Sequence, residues 1–248
     1  MPLCRAEGLS KSWPTLKGTR RSKPCSTPCR LRAKPLNILR NYRDPGLGGM
    51  ADPFRAHLGD ILLTDDEKRG LIPSISTQRE LNEFEFSNIM SARDWALSLR
   101  RLNKAEILNV SYLLELHRRM FNATWRWAGH FRTTEKNIGV EPHRIGPDVA
   151  SLLGDTQYWI ENRVYPADEI ALRFHHRLVG IHPFPNGNGR HARLAADILA
   201  LKQGRPAFPW GSGTAEPANV RQAYLGALRR ADNQDYQALF QFARSRKP

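Results

Sequence analysis

Apolar residues recur every three or four positions along most of the chain after residue 76, and helix-start signals precede several of these runs. Thr77-Gln-Arg-Glu80 reads as a capping box and predicts a helix through about Arg93. Asn103-Lys-Ala-Glu106 predicts a second, whose buried stripe is Ile107, Val110, Leu113, Leu114, Met120 and Phe121. Residues 148–162 and 167–181 are two more, with Pro166 placed to open the latter and Ile170, Phe174, Leu178 and Ile181 on its buried face. A helix from Arg190 to Gln203 is stopped by Gly204. Pro217 opens another, with Val220, Tyr224 and Leu228 in register. Tyr236, Leu239, Phe240 and Ala243 mark a last short one. Only residues 129–139 look like β structure: Phe131 to Thr134 and Asn137 to Val140 suit the two arms of a hairpin. The fold class expected is all-α, a helical bundle with a small β-hairpin flap.

Residues 1–49 break the pattern. They are basic, punctuated by Pro, Gly and Ser, and carry too little apolar periodicity to offset the entropy of ordering, so disorder is expected. The sequence changes character at Gly48-Gly49-Met50, which makes Met50 the expected native start and 50–248 the folded domain. The same segment explains most of the charge. It holds eleven Lys and Arg against Glu7 and Asp44, nine of the formal net +14, leaving five for the other 199 residues. That is a mild bias rather than a nucleic-acid stripe. All three cysteines, Cys4, Cys25 and Cys29, also lie there, and none follows Met50; a domain of this size without disulfides points to a reducing, cytoplasmic setting. No apolar run is long enough for a membrane span.

One stretch concentrates chemistry: His182-Pro-Phe184-Pro-Asn186-Gly187-Asn188-Gly189-Arg190-His-Ala-Arg193. A histidine precedes a glycine-rich turn that runs into a helix. The free N–H groups and positive dipole end of that helix form an anion site. Arg190 and Arg193 share a helix face and have guanidinium forks suited to phosphate. A histidine of ordinary pKa near 6.5 takes a proton from an attacking hydroxyl. The combination implies transfer of a phosphate-bearing group from a nucleotide to an alcohol. His175 and His176, before the motif, and Trp125 and Trp127, before the flap, read as packing residues. Arg100-Arg101 and Arg229-Arg230 read as solvated charge.

At these residues the chain resembles the Fic family, whose motif is His-Pro-Phe-x-Asp/Glu-Gly-Asn-Gly-Arg with a second Arg three further on. The likeness spans roughly residues 60–245 and is greatest to the bacterial group called mobile mystery protein B. It implies adenylylation: AMP moved from ATP to a Ser, Thr or Tyr hydroxyl of a target protein. His182 would be the general base. Gly187, Asn188 and Gly189 would hold the α-phosphate, Arg190 the β-phosphate and Arg193 the γ-phosphate. Thr133, Thr134, Lys136, Asn137 and Ile138 would form a flap that pins the target by strand addition. A small antitoxin-like or helix-turn-helix partner is also implied. The resemblance further suggests an inhibitory helix, with Glu80, Glu83 or Glu85 pairing with Arg193. Ser76-Thr-Gln-Arg-Glu80 fits part of that signature, although Glu80 is equally explained by the capping box.

The chain departs from the family pattern at Asn186. The family has an acidic ligand for Mg²⁺ there, and an amide oxygen lacks the charge a hard cation prefers. Asn186 is therefore at most a weak metal ligand. Three readings follow: adenylylation, use of another phosphate-containing donor or phosphotransfer, and a catalytically weak nucleotide-binding regulatory module.

Overall fold

The computed structural model describes residues 63–211 and 217–245, without the side chains of 217–219. The expectations for residues 1–49 and for a start at Met50 fall outside these residues. Among them the architecture is helical, and the only β pairing is an isolated bridge between Leu71 and Trp125. The order is α1 (Asp65–Arg69), α2 (Gln78–Leu97), α3 (Leu99–Lys104), α4 (Val110–Phe121), a 3-10 turn (Pro142–Arg144), α5 (Ile145–Glu161), α6 (Ala167–Ile181), α7 (Asn188–Lys202), α8 (Pro217–Asp232) and α9 (Gln237–Arg244).

Capping chemistry sets most starts. Thr77 caps α2 and Glu80 reaches back to close the box, as the sequence predicts. The start predicted at Asn103 is displaced. Asn103 lies inside α3, and the cap of α4 is Asn109, whose side chain accepts from the Ser111 N–H at 2.8 Å. Two residues of the same type compete for the role, and the later one wins because Ala105 is extended and breaks the chain between the helices. The short helix α1 is not among the predicted elements, yet Thr64 and Glu67 form a second capping box around it. Its five residues are too few to show a period.

The core centres on α6 and α7, with α5 packed on α6, α2 packed on α4, and α8 and α9 on each other. Ala171, Leu172, Phe174 and Leu178 of α6 are fully or almost fully buried, and so are Ala192, Ala195, Ala196 and Ile198 of α7. The alanines allow close approach between the two helices. Burying each large apolar side chain such as Phe174 contributes about 1.5–3 kcal/mol. This packing buries the α6–α7 connection, residues 182–187, apart from the half-buried Asn186. Around it, Phe184 is fully buried and His182 is 4% exposed.

The hairpin expected over 129–139 is not formed. The segment is irregular, and its ends bond to the α6–α7 connection rather than to each other: Arg132 N–H donates to Pro183 O at 2.9 Å and Val140 N–H to Ile181 O at 3.2 Å. The Arg132 guanidinium fills the space between the arms. It donates to His182 O at 2.7 Å, to Thr134 O at 2.8 Å and to Val140 O.

Candidate active site

His182 caps α6 in the left-handed region, φ 58°, a conformation that costs a non-glycine residue about 1–2 kcal/mol. Three contacts hold it there. Its N–H bonds to Leu178 O, its carbonyl accepts from Arg132, and its Nδ1 lies 3.2 Å from Val179 O. A carbonyl only accepts, so Nδ1 carries the hydrogen and Nε2 presents a lone pair. Nε2 is buried with no hydrogen-bond partner. Burial pushes the imidazole down to about 3, aided by the nearby Arg132 and Lys136 charges. The sequence reading gave this histidine an ordinary pKa. In the fold it is neutral far below neutral pH, a base with an open electron pair. Gly139, at φ +100°, lies against it: a Cβ there would come 2.6 Å from His182 Cβ.

The motif turn follows. Gly187 is left-handed, φ +78°, and a Cβ on it would meet Phe121 Cζ at 2.3 Å, so no other residue type fits. Helix α7 begins at Asn188, two residues before the predicted Arg190. Its first bond from the turn is His191 N–H to Gly187 O, so the N–H groups of Asn188, Gly189 and Arg190 precede it and point out of the helix end. The Asn188 side chain is not available to a ligand. Its Oδ1 accepts from Phe184 N–H at 2.9 Å and its Nδ2 donates to Phe184 O at 2.8 Å, closing the loop on itself. An anion at this helix end would meet the Asn188 backbone only.

The two arginines differ. Arg190 pairs with Glu85 of α2 at 2.5 Å, and Glu85, 3% exposed, also accepts from Trp125 Nε1 at 2.7 Å. Arg193 packs over the Tyr224 ring at 5.2 Å, and no carboxylate lies within ion-pair distance of it among the described residues. Burial lowers its pKa. The pairing expected between an α2 glutamate and Arg193 is thus made with Arg190 instead. Glu85 sits two turns into α2, where it reaches the first turn of α7. Glu80 is exposed in its capping box, and Glu83 is exposed and paired with Arg79, so neither reaches the site.

Two further residues were not singled out in the sequence. His117 of α4 is fully buried and stacks on Phe184 with ring centroids 3.6 Å apart. Gly129 N–H donates to its Nδ1 at 3.0 Å, so its Nε2–H donates to Asn186 O at 3.1 Å. Burial, and then the neighbouring His191, holds its pKa well below the usual value. One neutral imidazole therefore joins α4, the flap entrance and the motif turn. Glu67 of α1 is the other. It accepts from Thr134 Oγ1 at 2.7 Å and pairs with Lys136, whose side chain is 2% exposed. Burial pushes this carboxyl up, but the bonds from Lys136, from the Thr64 N–H and from Thr134 outweigh it and hold the carboxyl low. Of the expected flap residues, Thr134 and Lys136 are thus turned onto α1. Thr133 is exposed, Ile138 is half-buried, and Asn137 carries a buried Oδ1 without a partner. The capping-box pattern at Thr64-Asp-Asp-Glu67 was the signal available for Glu67.

The remaining expected packing residues behave as such. His175 Nε2 meets Tyr224 OH at 3.1 Å, and His176 lies between Asp232 and Tyr236 OH. Trp125 and Trp127 stack at 4.9 Å, and the side chains of both are anchored by their ring N–H groups, Trp127 to Glu67 O. Arg100, Arg101, Arg229 and Arg230 are exposed.

Magnesium, implied by the resemblance, fits these residues poorly. The position that should supply a carboxylate is Asn186, and its Oδ1 accepts from Gly187 N–H at 2.7 Å. Glu85 is committed to Arg190 and Trp125. No group of three or more His, Cys, Asp and Glu able to hold a metal occurs among the described residues.

Residues 107–200 match the family model described as the Fic/DOC family. The chain is 32% identical over 129 residues to a protein adenylyltransferase fic-1 of Caenorhabditis briggsae, covering 49% of this chain and 25% of that protein. It resembles the solved structure of C. elegans Fic-1, residues 134–508, with TM-score 0.51 and 26% identity over 72% of this chain and 51% of that one. The fold is also that of BepC, a VirB-translocated effector of Bartonella tribocorum solved with bound AMPPNP, with TM-score 0.55 at 16% identity over 75% of this chain and all of that one. The chain spans about a quarter of the length of the curated relatives it matches. Residues 107–200 thus resemble a Fic/DOC-family domain, and they lie on an all-α scaffold. No helix among the described residues is long and apolar enough to cross a membrane.

Proposed function

We propose, with a Fic/DOC domain as the premise, that this chain transfers AMP from ATP to a hydroxyl side chain of a target protein. The observation that carries the proposal is the open, buried, neutral Nε2 of His182 beside the free helix end at Asn188. His182 Nε2 takes the proton of the target hydroxyl. The hydroxyl oxygen bonds to the α-phosphorus, the bond from that phosphorus to the bridging oxygen breaks, and pyrophosphate leaves with its electron pair. The proton stays on His182 until solvent removes it. The backbone N–H groups at Asn188, Gly189 and Arg190 meet the phosphate oxygens as charge shifts onto them, worth several kcal/mol in a dry site. Arg193, without a carboxylate, is the available cation for the outer phosphates, and Arg190 joins it when Glu85 releases it. The adenylyltransferase names of the relatives and the AMPPNP bound to BepC support the choice of ATP.

The Glu85–Arg190 pair supports self-inhibition by α2, since it neutralises one of the two phosphate-binding arginines. The flap residues from Thr133 to Ile138 guide the target, with Glu67 holding their shape. Asn186 supports a second reading, in which the donor is another phosphate compound or the γ-phosphate moves instead. The likeness to the mobile mystery protein B group, a small antitoxin-like partner and a reducing cytoplasmic setting belong to the same proposal, the last supported by the lack of cysteine after Met50.

The test is label transfer to protein in a cell lysate, using the full chain and ATP labelled on the α-phosphate, against His182→Ala. Label dependent on His182 is the expected result. Label on protein from γ-labelled ATP only would replace adenylylation with phosphotransfer, and no label from either would leave the binding-module reading.

A further inference from the structure

We infer that this site takes its nucleotide phosphates without a divalent cation, Asn186 serving as an amide donor to phosphate where the family pattern places a cation ligand. The inference rests on the nucleotide reading above. Three observations lead to it. The first is the state of Asn186. Its Oδ1 accepts from Gly187 N–H at 2.7 Å, and because that partner is a donor, the atom facing it is the oxygen. What the side chain has left to offer is Nδ2, with two N–H groups and no partner among the described residues. A donor repels a cation and attracts a phosphate oxygen.

The second observation is that, among the described residues, no carboxylate is bonded to the motif turn in place of the missing charge. Glu85 reaches the site, but Arg190 and Trp125 Nε1 hold its two oxygens at 2.5 and 2.7 Å. Magnesium keeps near-ideal octahedral geometry and is bound through carboxylates together with substrate phosphates. Among the described residues, the one carboxylate bonded to a motif arginine is thus already taken. The third is that cationic and donor groups are plentiful. Arg193 is half-buried outside any ion pair, with the Asp197 charge acting on it, Arg190 is the third residue of α7, and the α7 N-terminus adds its own partial positive charge. These can offset phosphate charge that the cation neutralises elsewhere.

A consequence separates this account from a merely weakened metal site. Without a cation, phosphate must draw Arg190 away from Glu85, so removing the Glu85 charge should tighten binding even in the absence of metal.

The experiment is calorimetric titration of the full chain with ATP, once in EDTA and once in excess Mg²⁺. It is run on the wild type, Asn186→Ala, Asn186→Asp and Glu85→Gln. Wild-type affinity should change by no more than about threefold between the buffers, because no carboxylate couples the cation to the protein. Asn186→Ala should lose about tenfold in EDTA, the scale of one hydrogen bond to a charged group. Asn186→Asp should bind ATP still more weakly in EDTA, by like-charge repulsion, and recover in Mg²⁺. Glu85→Gln should bind more tightly than wild type in EDTA. Wild-type binding that tightens more than about tenfold with Mg²⁺ overturns the inference, and so does an Asn186→Ala chain that binds like wild type in EDTA. ATP binding by neither the wild type nor Glu85→Gln in either buffer overturns the nucleotide reading itself, and this inference with it.

Discussion

His182 and His117 are both buried and both neutral, and each bonds at the motif turn or its flank, yet they are built for different work. Both nitrogens of His117 are satisfied, Nδ1 by Gly129 N–H and Nε2–H by Asn186 O, and its face is covered by Phe184. His182 has one nitrogen tied to Val179 O and the other left bare. A buried polar atom without a partner costs about 1–3 kcal/mol, and His182 adds the strain of a left-handed backbone. A stable fold retains such costs at functional sites. The contrast teaches that burial and a depressed pKa do not separate the two; the bare nitrogen does, a feature that His182 shares with the Nδ1 atoms of His175 and His191, so its place at the start of the motif turn is what makes it the base.

The largest expected effects come from removing each imidazole. His182→Ala should lower label transfer by about 10²–10⁴-fold, the usual contribution of a general base, with thermal stability nearly unchanged. His117→Ala should do the reverse in order of cause. It should lose about 3 kcal/mol or more of stability, because Gly129 N–H and Asn186 O are left unpaired and Phe184 loses its stacking partner. Denaturant unfolding beside transfer assays separates them. An His182→Ala chain that unfolds as readily as His117→Ala would collapse the distinction.

Glycine substitutions probe each side next. Gly139→Ala presses on His182 Cβ at 2.6 Å and Gly187→Ala on the Phe121 ring beside His117 at 2.3 Å, both at positive φ. Each should cost about 2–3 kcal/mol, combining backbone strain with overpacking. Gly189→Ala is the control: its Cβ would lie 3.5 Å from Tyr224 OH, an ordinary contact inside a helix, and its measured stability should hold or rise slightly. Equal melting of all three would remove the steric argument.

Acid acts on the buried histidines together. His182 is pushed down to about 3 and His191 to about 4, while unfolded histidine titrates near 6.5. Between about pH 6.5 and 4 the unfolded chain therefore binds protons that the native one refuses. Stability is complete above that window and falls as pH drops through it, by up to about 1.4 kcal/mol per pH unit for each histidine. Urea unfolding at pH 7, 6 and 5 should show the decline. Transfer by the folded protein, in contrast, should show no acid limb near 6.5, and a limb there would mean that His182 titrates normally.

The smallest effect is expected at Glu85→Gln. Glutamine keeps an acceptor for Trp125 Nε1 and removes the charge from Arg190. Transfer should rise several-fold, with stability lower by about 1 kcal/mol because the Arg190 side chain can turn to water. Neutralising Glu80 or Glu83, which do not reach the site, should leave transfer unchanged. An increase from either of those alone would move the inhibitory role elsewhere on α2.

The parts of this molecule that were legible in the sequence are those that local chemistry determines. The capping box at Thr77, the apolar period of α6 and the motif from His182 to Arg193 could be read directly, because each depends on residues a few positions apart. The start of α4 was misplaced because Asn103 and Asn109 carry the same local signal. The hairpin at 129–139 failed because alternation suggests a strand but cannot show that Arg132 bonds across to residues 182 and 183. The partners of the site were hidden for the same reason. Glu85 meets Arg190 across 105 positions and Glu67 meets Lys136 across 69. His117 gave no sign of its role, since its two partners are backbone groups that any residue could supply.

The most direct measurement is nitrogen-15 correlation spectroscopy of the histidine rings in the full chain, from pH 5 to 8. The account predicts His182 as the Nδ1–H tautomer with a bare Nε2 and His117 as the Nε2–H tautomer, neither titrating across the range. A His182 signal that titrates near 6.5, or that carries its hydrogen on Nε2, would contradict it.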